Sequence, residues 1–87
     1  MPYIEPYKRD QFEFGLILPR IENCGDLNYL FTKLCIKYME DHGLSYQTCN
    51  DIVGALDNAK DEFRRRVQHK YESEKIRING DVYNTDA

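Results

Sequence analysis

Residues 26–71 read DLNYLFTKLCIKYMEDHGLSYQTCNDIVGALDNAKDEFRRRVQHKY. In the first part of this stretch Leu27, Leu30, Phe31, Leu34 and Tyr38 keep the three-and-four spacing of an amphipathic helix. Asp26 is a good N-cap residue, Gly25 breaks the chain before it, and Gly43 offers a left-handed stop. A helix is therefore expected over 26–42, with Leu44 placed to close the apolar contact of a Schellman motif. Ser45 caps a second run, in which Cys49, Ile52, Val53, Leu56, Ala59, Phe63, Val67 and Tyr71 hold one face. That run predicts a helix over 46–73, about 40 Å long at about 1.5 Å per residue. A link as short as residues 43–45 makes the two helices antiparallel neighbours. The stretch reads as a helical hairpin.

Outward from the hairpin the signals are weaker. Residues 1–8 carry Pro2 and Pro6 and read as an extended arm, with Tyr3, Ile4 and Tyr7 apolar enough to pack it down. Residues 10–23 have a helical composition, and Phe12, Leu16, Ile17 and Ile21 fall near one face. Pro19 interrupts them, removing a backbone hydrogen bond and crowding the carbonyl of Gly15, so a kinked helix or two short turns is expected. Residues 75–87 read as a tail with a turn at Asn79-Gly80-Asp81. In that tail Val82 and Tyr83 are able to dock back, and the last four residues are loose. The fold class expected is all-α, a single domain over 1–87. Its architecture is a small three-helix unit dominated by the antiparallel hairpin, with an extended N-terminal arm and a C-terminal tail.

Eighty-seven residues leave room for one core only, and a chain of this size is marginal on its own. Disulfides, a metal or self-association usually make up the deficit. The three cysteines, Cys24, Cys35 and Cys49, are an odd number at spacings that suit neither a disulfide framework nor a zinc knuckle. No metal and no cofactor is expected, and a homo-oligomer is. Free thiols fit a reducing compartment, no apolar run is long enough to span a bilayer, and residues 1–10 do not resemble a signal peptide. A cytoplasmic protein is the expectation, with no membrane partner. The net charge of −3 disfavours nucleic acid as a partner, although one segment is basic.

That segment runs from Lys60 to Lys70 and includes Arg64, Arg65, Arg66 and His69. Arginine forks bind phosphate or carboxylate in bidentate geometry. The plainer reading is a solvated helix face laced by Asp61–Arg65 and Glu62–Arg66 pairs. Asn28 and Asn50, near the apolar faces, would bond each other across the hairpin or meet a ligand. Gly54, in mid-helix, costs about 1 kcal/mol against alanine, which close helix packing or a ligand would offset. Catalytic patterns are poor: there is no Gly-rich phosphate loop, GxSxG or HExxH. The carboxylates of Asp57, Asp61 and Glu62 are accompanied by arginines, which disfavours a magnesium-dependent pyrophosphatase. A protein without enzymatic activity is expected.

Several segments taken together resemble a known family: Gly25-Asp26-Leu27-Asn28-Tyr29, Gly43-Leu44-Ser45-Tyr46, Glu62-Phe63-Arg64-Arg65-Arg66, Tyr71-Glu72 and Asn79-Gly80-Asp81-Val82-Tyr83. They are similar to those of short uncharacterised proteins of bacteriophages and bacteria, classed as a domain of unknown function. Met1-Pro2-Tyr3-Ile4 is similar as well. His69-Lys70 departs from the family pattern, which has a small residue and proline there, so the second helix is free to run on. The resemblance implies phage or prophage origin, which would place the protein in the host cytoplasm. It implies no activity.

Small phage proteins often disarm host defence. The reading that follows is a pocket that sequesters a phosphorylated, nucleotide-like signalling ligand. Lys60, Arg64 and Arg65 would hold phosphate, Tyr29, Tyr71 and Tyr83 would stack on bases, and Asn28, Asn50 and Asn79 would meet polar edges. The alternatives are a protein–protein inhibitor of a host defence complex, resembling an anti-CRISPR, and a nucleic-acid accessory factor.

Overall fold

A computed structural model of the chain describes residues 4–16 and 18–83, apart from the side chain of residue 14. Tyr3, Ile17 and the last four residues, on which expectations were placed above, lie outside the described residues. The elements are α1 (Pro6–Gly15), α2 (Cys24–His42), α3 (Tyr46–Phe63), a π-helical segment (Arg64–Gln68) and α4 (His69–Asn79). There is no strand among the described residues. The fold is all-α and contains the helical hairpin.

The described residues up to Ala55 form one compact unit, and those from Leu56 onward form another. In the first unit the N-terminal region departs from expectation. Residues 6–8 are not part of an extended arm but open α1, because proline at a first helical position is already set for the helix and its missing N–H has no partner to lose. Nor does a kinked helix span 10–23. The helix stops at Gly15, and residues 18–22 have no regular structure. Pro19 disfavours helical backbone at Leu18, which accords with the lack of regular structure there.

Helix α2 begins two residues before the expected start. Asn23, rather than Asp26, is its N-cap, and the Asn23 Oδ1 accepts from the Asp26 amide at 2.8 Å. Asp26 reciprocates by accepting from the Glu22 amide at 3.3 Å, so its carboxylate sits in the first turn, where the helix dipole favours it. The helix ends where expected, at Gly43, whose φ of 82° suits a residue without a Cβ. Leu44, however, is 77 % exposed and closes no apolar contact. Ser45 caps α3 as predicted, its Oγ accepting from the Thr48 amide at 3.1 Å.

In the second unit the helical backbone does not stop at Ser73. It passes from α3 through the π segment into α4 and ends at Asn79, with Gly80 (φ 85°) as the stop. The expected turn at Asn79-Gly80-Asp81 is therefore the helix terminus, and residues 75–79 belong to α4 rather than to a tail. Asp81 Oδ1 accepts from the Tyr83 amide at 2.9 Å in an Asx turn. Val82 is 97 % exposed, and Tyr83 is also exposed, so neither docks back.

The distribution of burial is unusual. No apolar side chain among the described residues is buried, and the one buried residue is Thr48, 4 % exposed, beside the hairpin turn. Leu30, Cys35, Tyr38 and Ile52 are half-buried. The stripes that the sequence marks as a core are correctly spaced but not covered.

Candidate functional site

The best-organised polar cluster is a clasp across the hairpin. Tyr38, in α2, donates its hydroxyl proton to Asp51 Oδ2 in α3 at 2.8 Å. Gln47, one turn before Asp51, donates to its other oxygen at 2.7 Å. The ring of Tyr38 also lies against His42, with centroids 4.2 Å apart. The hydrogen bond from Tyr38, reinforced by that from Gln47, holds the Asp51 carboxyl below its ordinary pKa. The same bond pushes the Tyr38 hydroxyl up, because a phenolate would lose it and face a carboxylate. A carboxylate satisfied at both oxygens is well placed to lock a turn and poorly placed to act as a base.

The clasp was legible in part. Tyr38 lies six residues before Leu44 and Asp51 seven after it, so an antiparallel hairpin sets them opposite each other. In the sequence Tyr38 counts only as part of the apolar stripe, and nothing marks Gln47 or Asp51.

At the start of α2, Cys24, Gly25, Leu27, Asn28 and Phe31 line a shallow, open hollow of about 250 Å³. Its lining is mostly apolar, which suits an inserted side chain better than a phosphate. Asn28 lines this hollow, while its carbonyl accepts from the Thr32 hydroxyl at 3.0 Å. Tyr29 is exposed and carries Lys33 over its ring at 5.9 Å. Asn50 is exposed in α3 and does not bond Asn28. Its neighbour Asp51 bonds Tyr38, which lies about 15 Å from Asn28 along α2.

The basic stretch occupies the end of α3, the π segment and the start of α4. Lys60 pairs with Asp57 at 2.9 Å and Arg65 with Glu62 at 2.6 Å, while Arg66 stands 3.9 Å from the same Glu62. The expected Asp61–Arg65 pair is replaced by Glu62–Arg65, one residue closer. Two of the three proposed phosphate ligands thus already hold carboxylates; their cations are exposed to solvent, while Glu62 is half-buried. Arg64 and Lys70 make no ion pair among the described residues. Tyr71 is exposed under the Lys75 ammonium, 5.5 Å away, and Asn79 is the last residue of α4. Lys60 and Asn79 are separated by roughly 28 Å of helical rise, so within this unit Lys60, Arg64, Arg65, Tyr71 and Asn79 line a rod and do not enclose a pocket.

The π segment closes with the His69 amide bonded to the Arg64 carbonyl, five residues back. Such a wide turn carries an extra residue and recurs at functional positions. Here it has a packing consequence. Phe63, Val67 and Tyr71 are spaced by four and four, a step that overshoots the α-helical turn by about 40° each time. The wider turn between Phe63 and Val67 absorbs one overshoot, keeping Phe63, Val67 and Tyr71 on one face. That face is open: Phe63 is 61 % exposed, and Leu56, Val67, Tyr71 and Ile78 are exposed beside it.

No group of His, Cys, Asp and Glu among the described residues is arranged to hold a metal ion. No helix among them is long and apolar enough to cross a membrane.

These features define an all-α protein with a clasped hairpin and open apolar helix faces. The chain belongs to the family Domain of unknown function (DUF6899), whose model matches residues 1–82. No curated protein and no solved structure matches it.

Proposed function

We propose that this chain is a non-enzymatic binding module that acts by laying its open apolar helix faces on another protein. One observation carries this reading: no apolar side chain among the described residues is buried, although the stripes have regular helical spacing. Soluble helices that keep such stripes do so to cover them, and recognition of a helix by a groove uses anchors at this spacing. On α2 the anchors are Leu27, Phe31 and Leu34, the last 65 % exposed. The resemblance to phage-borne proteins suggests a protein of the host defence machinery as the partner, in the host cytoplasm.

A second reading rests on Arg64 and Lys70, the cations of the basic stretch that make no ion pair among the described residues. They support capture of a phosphorylated, nucleotide-like ligand, with Tyr71 nearby as a stacking surface.

Native mass spectrometry of the protein purified from bacterial cells separates the two. The first reading expects a complex heavier by a protein mass, lost in Leu34→Glu and kept in Lys33→Glu on the neighbouring helix surface. The second expects a nucleotide-sized extra mass, lost in Arg64→Ala. A bare chain that unfolds cooperatively, with a midpoint independent of concentration, would overturn both.

A further inference from the structure

We infer that the face around Phe63, Val67 and Tyr71 takes an acidic amphipathic helix of another protein, its apolar ridge on these side chains and carboxylates along both of its edges. The inference rests on the reading above and names the chemistry of the partner for this face.

The apolar stripe calls for cover, and the charges beside it specify the kind. Between Phe63 and Tyr71 the chain runs Arg64-Arg65-Arg66-Val67-Gln68-His69-Lys70, four cations with no carboxylate among them. Glu62, just before, engages Arg65 at 2.6 Å and stands 3.9 Å from Arg66. Arg64 and Lys70 are exposed and make no ion pair among the described residues. One residue step turns a helix by about 100°, and somewhat less in the wide turn. Arg64, one step after Phe63, and Lys70, one step before Tyr71, therefore lie on opposite flanks of the stripe. Arg66, one step before Val67, shares the flank of Lys70. The open ridge thus has cationic shoulders on both sides. Its complement is apolar along the middle and anionic along each edge. A helix with apolar anchors three and four residues apart, and Asp or Glu beside them, has that cross-section.

The patch is also short and bounded. Phe63 to Tyr71 covers about 12 Å of helical rise. Asp61 and Glu62 stand directly before it, and Glu72 and Glu74 close behind it. A bilayer of anionic lipid or a nucleic-acid backbone laid along this helix would meet those carboxylates as well as the cations. A peptide helix meets the cations over two or three turns and is free to carry other residues beyond. A phosphate ion alone would leave Phe63, 61 % exposed, and Val67, 50 % exposed, without cover.

The test is a selection of helical peptides of about three turns, with apolar anchors fixed and flanking positions random, on the full chain and its variants. Wild type is expected to enrich Asp and Glu on both flanks of the anchors. Arg64→Glu and Lys70→Glu should each weaken a selected peptide by about tenfold. The double variant should enrich lysine and arginine instead, which also shows that it folds. Val67→Glu should retain none of the peptides, whereas Lys33→Glu, on α2, should bind them as wild type does.

Enrichment without an acidic preference, or no enrichment, overturns the inference. So does tighter binding of phosphatidylglycerol vesicles or of a single-stranded oligonucleotide that is lost in the same double variant, because the cations then serve phosphate. If the inference falls while the purified chain still carries a protein lost in Leu34→Glu, the binding-module reading stands on its other face. A bare chain that unfolds cooperatively brings down both.

Discussion

Gly54 lies in the middle of α3, and a Cβ built there meets nothing within 4 Å. The close packing invoked to explain it is therefore not found among the described residues. Gly54→Ala is expected to stabilise the helix by roughly 1 kcal/mol, read as a higher midpoint in urea unfolding of the isolated protein. A lower midpoint would mean that another molecule approaches the backbone there.

At the same scale, the Tyr38–Asp51 bond makes the hairpin sensitive to pH at both ends. The depressed Asp51 pKa contributes stability above the ordinary carboxylate value, and that contribution is lost as pH falls through the folded pKa. The raised Tyr38 pKa contributes below the ordinary tyrosine value, and its contribution is lost as pH rises through the folded pKa. Tyr38→Phe should flatten both limbs of a stability–pH curve followed by circular dichroism, and an unchanged curve would remove the clasp from the account. Residue by residue, the sequence discloses some caps, because a cap is a local bond: Ser45 and Gly43 act as their types predict, whereas α2 is capped by Asn23 and not by Asp26. It discloses the clasp poorly, because Asp51 and Gln47 gain their role only from a partner on the facing helix.

At the scale of elements, the π segment is the feature that no periodicity announces. Its extra residue costs hydrogen-bond quality, and local composition does not reveal it because arginine, valine and glutamine suit an α-helix equally. Deleting Gln68 should convert the segment to α-helix while keeping Tyr71 and Ile78 in phase with Phe63. The expected result is stronger protection of the amides around Arg64 to His69 in hydrogen exchange and a higher thermal midpoint. A lower midpoint would show that the wide turn is held by contacts of its own. The hairpin helices were legible because stop and start signals crowd into residues 43–45. The ends of α1 and α4 were not: Pro6 suggests an extended arm by its type but starts a helix by its position, and Asn79-Gly80 suggests a separate turn but is the terminus of a helix.

At the scale of the molecule, the all-α class and the hairpin follow from the sequence, but the placement of a core does not. Hydrophobic periodicity says which face wants to be covered and is silent on whether the cover lies in the same chain. The same limit applies to the proposed ligand residues. Asn28, Tyr29 and Asn50 fall in the unit up to Ala55. Lys60, Arg64, Arg65, Tyr71, Asn79 and Tyr83 fall in the unit from Leu56. Spacing along a helix orders such residues in a line, and only a folded contact between lines would turn them into a pocket.

Helices with as little apolar burial as the described residues show open often, and an opened helix is a substrate for proteases. A copy without cover is accordingly short-lived in a cell, whereas a covered copy persists. Synthesis in excess would then be trimmed by degradation rather than stored, and the amount of the protein would follow the amount of whatever covers it.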